Sequence, residues 1–208
     1  MENKQFFWQD SQTVKFLADI IRENGIIAST TDTVCGLLAN ISRESFNILH
    51  DIKGERGDKP YLVLVSSMEK LQNFVLVDDL NPGILNVMNQ FWPGPLTIIL
   101  RAKTDLPLHL VSKEQTIAVR VPKHDGLLRL LREFDGLFST SANISGQPVP
   151  QTIDALCSEI IESVSCIIRD EKEEKKLPST LVDFSQENKW VVVREGSITK
   201  SEIERYYE

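Results

Sequence analysis

Residues 139–146 read Ser-Thr-Ser-Ala-Asn-Ile-Ser-Gly, directly after the apolar pair Leu137–Phe138. Hydroxyls and an amide packed this closely against a strand end suit a charged or polar ligand held by many short contacts. The segment has no histidine or cysteine, so it reads as a binding cradle before it reads as a source of a nucleophile. Its polar candidates are Ser139, Ser141 and Asn143.

Cations stand elsewhere. Lys53, Arg56 and Lys59 recur at three-residue intervals in a loop that also holds Gly54, Gly57 and Pro60. One reading is a solvated run that caps the preceding helix, where a cation meets the partial negative charge of the C-terminus. The other is a clamp for polyphosphate or carboxylate, with the glycines letting backbone amides approach. Thr30-Thr31-Asp32-Thr33 offers a similar choice between a self-bonded turn and a hydroxyl-rich ligand wall at a strand end. Trp92-Pro93-Gly94-Pro95 fixes a turn and plugs the core, which leaves Thr97 as a polar group able to face a pocket. Arg120 closes an apolar strand, either as a surface charge or as an inward carboxylate receptor. Ser179 and Arg194 also flank strands.

Several chemistries have no motif here. GxxxxGK[ST], a strand-linked GxGxxG and GxSxG are all missing, which excludes a P-loop, a dinucleotide fingerprint and a nucleophile elbow. His50, His109 and His124 are scattered, and Cys35, Cys157 and Cys166 lack CxxC spacing, so no metal site is expected.

The elements that must position these groups follow from periodicity and punctuation. Ser11 is the expected cap of a first helix carrying Val14, Leu17, Ala18 and Ile21, with Gly25 stopping it after Asn24. Helices are also expected at 44–52, 67–74, 81–91, 126–134, 152–163 and 201–206. Strands are expected at 26–29, 61–65, 96–100, 116–121, 137–140, 166–168, 180–183 and 190–194. The mixture predicts a single α/β domain over 1–208, a twisted mixed β-sheet flanked by helices. Asp170–Lys176, seven consecutive charged residues, reads as a solvated loop, with a lid near the site as the alternative.

Bulk composition narrows the class. At 208 residues, 41% hydrophobic and 25% charged, the chain is of ordinary globular composition. A net charge of −7 argues against a broadly basic surface for nucleic acid. No apolar run approaches the ~20 residues of a membrane span, and the N-terminus lacks a signal-peptide core. The odd cysteine count fits a reducing compartment, and a cytoplasmic location is expected.

Taken together, the segments resemble the YrdC family, whose members include threonylcarbamoyl-AMP synthases. Thr30 through Leu37 looks like the family's P-T-D-T-V-Y-G-L, and Lys53 through Pro60 like its K-x-R-x-x-x-K-P loop. Trp92 through Thr97 looks like W-P-G-P-x-T, Val119 through Pro122 like V-R-x-P, and Ser139 through Gly146 like S-T-S-A-N-x-S-G. Ser179 through Asp183 looks like S-T-x-V-D, and Val193 through Gly196 like L-R-x-G. The resemblance implies a YrdC-like fold with a central basic concavity.

It also implies an ATP-dependent synthase. Threonine, bicarbonate and ATP would give threonylcarbamoyl-AMP and pyrophosphate, with Mg²⁺ carried by ATP, and downstream proteins would transfer the threonylcarbamoyl group to a tRNA adenosine. Such chemistry needs positioning and charge stabilisation more than a protein nucleophile. On this resemblance Lys53 and Arg56 are the catalytic cations, and Thr31, Thr33 and Arg120 hold threonine. ATP falls to Lys53, Arg56, Lys59, Thr97, Ser139, Ser141, Asn143, Ser179 and Arg194. A paralogue that binds RNA or a nucleotide without turnover is the alternative, and a carbamoyl-transfer module is a third. The chain departs from the family pattern at three places. Glu55 takes the usual arginine position, shifting Arg56 by one; Cys35 replaces a tyrosine; Thr30 replaces a proline. Longer members carry a C-terminal domain that is not expected here.

Overall fold

The computed structural model describes residues 5–10, 12–54, 60–174, 176–186 and 189–207. The elements of its first half are β1 (Gln5–Phe7), α1 (Thr13–Arg22), β2 (Ile27–Ser29), β3 (Gly36–Asn40), α2 (Arg43–Lys53), β4 (Leu62–Leu64), α3 (Met68–Leu71), α4 (Pro82–Phe91) and β5 (Leu96–Arg101). The second half adds β6 (Thr116–Arg120), α5 (Asp125–Leu131), β7 (Leu137–Ser141), α6 (Ser158–Ser163), β8 (Cys166–Arg169), β9 (Thr180–Gln186), β10 (Lys189–Arg194) and α7 (Lys200–Tyr207).

Among the described residues the strands join in one mixed sheet, ordered β1-β8-β2-β3-β7-β4-β6-β5-β9-β10. Strand alternation sends neighbouring residues to opposite faces. Ala28, Leu37, Val63, Ile98, Val119 and Phe138 face one core, which also holds Leu49 of α2, Val87 and Met88 of α4 and Ile203 of α7. Ile27, Leu38, Leu64 and Leu137 face the other, packed on Leu17, Ala18 and Ile21 of α1 and Leu127, Leu130 and Leu131 of α5. The expected α/β sheet with helices on both faces is the observed one.

Register carries the site residues to common ends. Leu64 pairs with Arg120 between β4 and β6, Thr97 with Leu181 between β5 and β9, and Leu181 with Arg194 between β9 and β10. Arg120, Thr97 and Arg194 thus gather at one end of that half of the sheet. In the other half Ser29 pairs with Gly36, and Gly36 with Ser141. The loop after β2 and the loop after β7 therefore leave the sheet side by side.

Local chemistry explains most boundaries. Ser42 caps α2 by accepting from the Ser45 amide at 3.0 Å, and Asn81 caps α4, with Pro82 in its first turn. His124 caps α5, its Nδ1 accepting from the Leu127 amide at 3.1 Å. The expected Ser11 cap lies outside the described residues. At the end of α1 it is Asn24, at φ 64°, that takes the left-handed turn. Gly25 is needed for a different reason: a Cβ there would stand 2.5 Å from Ile20 Cγ2 and 2.7 Å from Ser165 Oγ.

Other expectations need correction. The helix expected over 152–163 breaks into a single turn, Ile153–Ala155, and α6, because Leu156 is extended and Thr152 makes no side-chain cap. The helix expected over 67–74 shrinks to α3, whose flanking Ser67 likewise makes no side-chain cap. Strands β1 and β3 were not expected. Gly36-Leu37-Leu38-Ala39 is buried on both faces, so it shows no alternation to read.

Candidate active site

Lys53 ends α2 with only 3% of its surface exposed. Its ammonium donates to the Ser141 carbonyl at 2.7 Å, to Asn143 Oδ1 at 2.9 Å and to the Asn143 carbonyl. Three acceptors match the three N–H bonds of an ammonium. Ser141 Oγ adds a bond to Asn143 Oδ1 at 2.6 Å, and Asn143 Nδ2 donates to the Gln147 carbonyl at 2.6 Å. The Ser145 amide returns to the Lys53 carbonyl at 2.9 Å. The cradle is thus tied to the end of α2, and Gly146, at φ 82°, turns the chain away. Ser139 lies two residues earlier on β7, 8% exposed and close to Gly36.

The neighbouring loop is joined to the cradle by the Ala142 amide, which donates to the Cys35 carbonyl at 2.9 Å. Within it, Thr31 Oγ1 accepts from the Thr33 amide at 3.0 Å, and the two threonine hydroxyls stand 3.2 Å apart. Self-bonding and site formation coexist here, because Thr33 Oγ1 also accepts from Arg120 Nη1 at 2.9 Å.

Arg120 is 4% exposed, so its charge needs compensation. Nε donates to the Gly94 carbonyl at 2.9 Å, and Nη2 stands 2.6 Å from Asp32 Oδ2. Burial pushes the guanidinium below its ordinary pKa, and the Asp32 charge opposes that shift. Arg194 is lowered too, first by burial and then by the repulsion of Arg120. Two guanidiniums in mutual repulsion favour an anion between or beside them.

Arg194 closes the series. Its Nη2 donates to the Ser179 carbonyl at 2.9 Å and to Ser179 Oγ at 3.1 Å, and Ser179 Oγ lies 2.8 Å from Thr97 Oγ1. Gly196 makes this arrangement possible, since a Cβ there would meet the Pro178 carbonyl oxygen at 2.2 Å. Three bonded groups result: Lys53 with Ser141 and Asn143, Arg120 with Thr33, Thr31 and Asp32, and Arg194 with Ser179 and Thr97, the last two coupled by the repulsion between their arginines. Arg56 and Lys59 lie outside the described residues.

The charged run beyond β8 is only partly the expected solvated loop: Glu171, Lys172 and Glu174 are exposed, while Asp170, Glu173 and Lys176 bond back to the protein as a strap beside the Thr30–Thr33 loop. Lys176 Nζ donates to the Thr31 carbonyl at 2.8 Å, and the Asp170 amide donates to Thr30 Oγ1 at 3.0 Å. Glu173 accepts from the Ile153 amide at 2.8 Å and pairs with Arg169 at 2.6 Å. Together with Thr30, Thr31, Thr33 and Cys35, Asp170, Glu173 and Lys176 line a narrow cleft of about 10 Å³. A larger cavity of about 550 Å³ lies between Leu76, Ile84, Phe184 and Tyr207, and none of the site residues named above lines it. Sequence reading missed Asp32 and Lys176. The signal for Asp32 was present: a strand-ending arginine that turns inward needs a carboxylate, and Asp32 sits among the very threonines already singled out.

Among the described residues no group of three or more His, Cys, Asp or Glu is placed to hold a metal ion, and no helix is long and apolar enough to cross a membrane. The Sua5/YciO/YrdC family model, described as "Telomere recombination", matches residues 19–196. The chain belongs to this family. It is 30% identical over 196 residues to a Pyrococcus abyssi protein named threonylcarbamoyl-AMP synthase, covering 92% of this chain and 56% of that one. A Methanocaldococcus jannaschii protein provisionally given the same name is 31% identical, over 93% of this chain and 90% of the relative. The crystal structure of P. abyssi Sua5 complexed with L-threonine superposes with a TM-score of 0.87 at 27% identity, covering 97% of this chain and 59% of that one. The chain thus spans little more than half the length of the Pyrococcus relative. The resemblance read from seven short motifs is borne out by the family match, and the α/β fold with a mixed sheet flanked by helices by the superposition.

Proposed function

We propose that this chain joins L-threonine, bicarbonate and ATP into threonylcarbamoyl-AMP, releasing pyrophosphate. The observation that carries the reading is Arg120: a buried guanidinium held by Gly94 and Thr33, against the paired hydroxyls of Thr31 and Thr33 and in charge repulsion with a second arginine. The Pyrococcus relative's complex with L-threonine supports the same ligand here.

In this reading Arg120 takes the threonine carboxylate, and Thr31 and Thr33 meet its polar groups. The amine and bicarbonate condense to a carbamate with loss of water. A carbamate oxygen attacks the α-phosphorus of ATP, the bond to the β-phosphate oxygen breaks, and pyrophosphate departs. The protein's part is alignment and charge stabilisation. Arg194, Ser179 and Thr97 face the nucleotide from one side; Ser139, Ser141 and Asn143, braced by Lys53, face it from the other. Arg56 and Lys59 supply further phosphate contacts, and Mg²⁺ enters as the counter-ion of ATP. The labile product is passed to proteins that modify tRNA.

Titration calorimetry of ATP, with and without threonine, tests the reading. Coupled binding and pyrophosphate release dependent on both threonine and bicarbonate are expected. A pure preparation that releases pyrophosphate without regard to threonine refutes it. Arg120→Ala should weaken threonine binding about 10- to 100-fold, the worth of a charge-assisted contact.

A further inference from the structure

Arginine carries five N–H donors. On Arg120, Nε is committed to Gly94 and Nη1 to Thr33. Nη2 is fully buried and has no hydrogen-bonded acceptor, although Asp32 Oδ2 stands 2.6 Å away. The ion pair occupies at most one of the two Nη2 hydrogens, and the other has no acceptor. Asp32 is its mirror image. Oδ2 accepts from the Lys123 amide at 2.8 Å, whereas Oδ1 is buried without any donor.

One buried pair therefore keeps an unused donor on its guanidinium and an unused acceptor on its carboxylate. Orphaned buried groups are rare and costly, so each asks for a partner. The partner that satisfies both at once carries an anionic acceptor and a cationic donor on adjacent atoms. That is the head of an α-amino acid, its carboxylate toward Nη2 and its ammonium toward Oδ1.

We propose that Asp32 Oδ1 is the acceptor for the α-amino group of the amino acid whose carboxylate lies on Arg120. The assignment rests on the synthase reading and adds a binding residue to it. The same oxygen serves the remaining N–H once the amine has become a carbamate. Asp32 thereby makes the site selective for a ligand with an α-N–H and rejects an otherwise equal hydroxy acid, since a buried acceptor left unpaired is penalised.

The test compares L-threonine with 3-hydroxybutyrate, which is threonine without its amino group. Both are titrated into the full chain with ATP present and bicarbonate absent. The wild type should prefer threonine by at least about tenfold. Asp32→Asn should lose about 10- to 100-fold in threonine affinity while 3-hydroxybutyrate changes less than about twofold and ATP affinity holds. Equal loss for both ligands would mean that Asp32 acts only by holding Arg120, and overturns the proposal. So does a wild type that binds both alike, an arm that needs no folded variant. Failure of the wild type to bind threonine at all, with ATP bound normally, overturns the synthase reading as well, which separates the two claims.

Discussion

The Lys53 ammonium stands 2.9 Å from Asn143 Oδ1 and 2.7 Å from the Ser141 carbonyl, 90 and 88 residues away along the chain. A lysine in this geometry acts through the cradle it braces, because its hydrogens face protein oxygens. Lys53→Met keeps the volume and strips those oxygens of their donor. We expect a stability loss of about 2–4 kcal/mol by urea unfolding, as for other broken buried charge networks. Lys53→Arg should not restore it, since a flat fork cannot serve three converging acceptors. An unchanged unfolding midpoint in Lys53→Met would show that the brace is unimportant.

Gly196→Ala addresses the opposite side of the site. The added methyl would stand 2.2 Å from the Pro178 carbonyl oxygen and 2.6 Å from both the Ser179 carbonyl carbon and the Thr180 amide. These are backbone atoms, so no rotamer change relieves the clash. The segment must move and take Ser179 away from Thr97 and Arg194. A stability cost of about 1–3 kcal/mol is expected. Nucleotide affinity should fall about tenfold or more by titration, reflecting lost alignment. Wild-type affinity for ATP in this variant would argue that Ser179 is not part of the nucleotide side.

How much of this was readable beforehand depends on where the information is stored. Most strands and helices follow from periodicity and caps, as at Asn81-Pro82. The failures have physical causes. β3 is buried on both faces and shows no alternation, while the helix expected from Thr152 is interrupted at an extended Leu156. The site's residue types were legible because hydroxyls and cations stand out against apolar strands. Their partners were not. That Lys53 meets Asn143, or Arg120 meets Asp32, is a consequence of sheet order, and no local pattern encodes it. The charged run misled for the same reason: Lys176 and Glu173 look solvated until the Thr31 carbonyl and Arg169 are brought to them.

Cysteine chemistry gives an independent check on packing. Burial pushes the Cys35 thiol up to about 11, with the Glu173 charge adding to the effect, and burial pushes Cys166 up to about 12. At pH 8 only about one Cys35 in a thousand is thiolate, and the thiolate is the reactive form. Iodoacetamide should therefore modify the partly exposed Cys157 first in the native protein. All three should react in denaturant, as counted by mass spectrometry. Rapid native labelling of Cys35 would mean that the strap over the Thr30–Thr33 loop is open in solution.

Asp170 links that strap to acid stability. Burial acts to raise its carboxyl, but the hydrogen bond from His124, the Thr30 contact and the Lys176 charge outweigh it and hold the group below the usual carboxylate value. His124 Nδ1 already accepts from the Leu127 amide, so its proton sits on Nε2, 3.1 Å from Asp170 Oδ1. A carboxylate depressed on folding stabilises the protein above its unfolded pKa of about 4, and that contribution is lost as pH falls through the folded value. Wild-type stability should therefore decline from roughly pH 4 downward. Asp170→Asn should be less stable at pH 7 by about 0.5–1.5 kcal/mol, with a shallower decline below pH 4. Urea midpoints at pH 7, 5, 4 and 3 compare the two directly. Parallel curves would show that the Asp170 carboxylate contributes nothing to holding the strap, leaving Lys176 and Glu173 as its anchors.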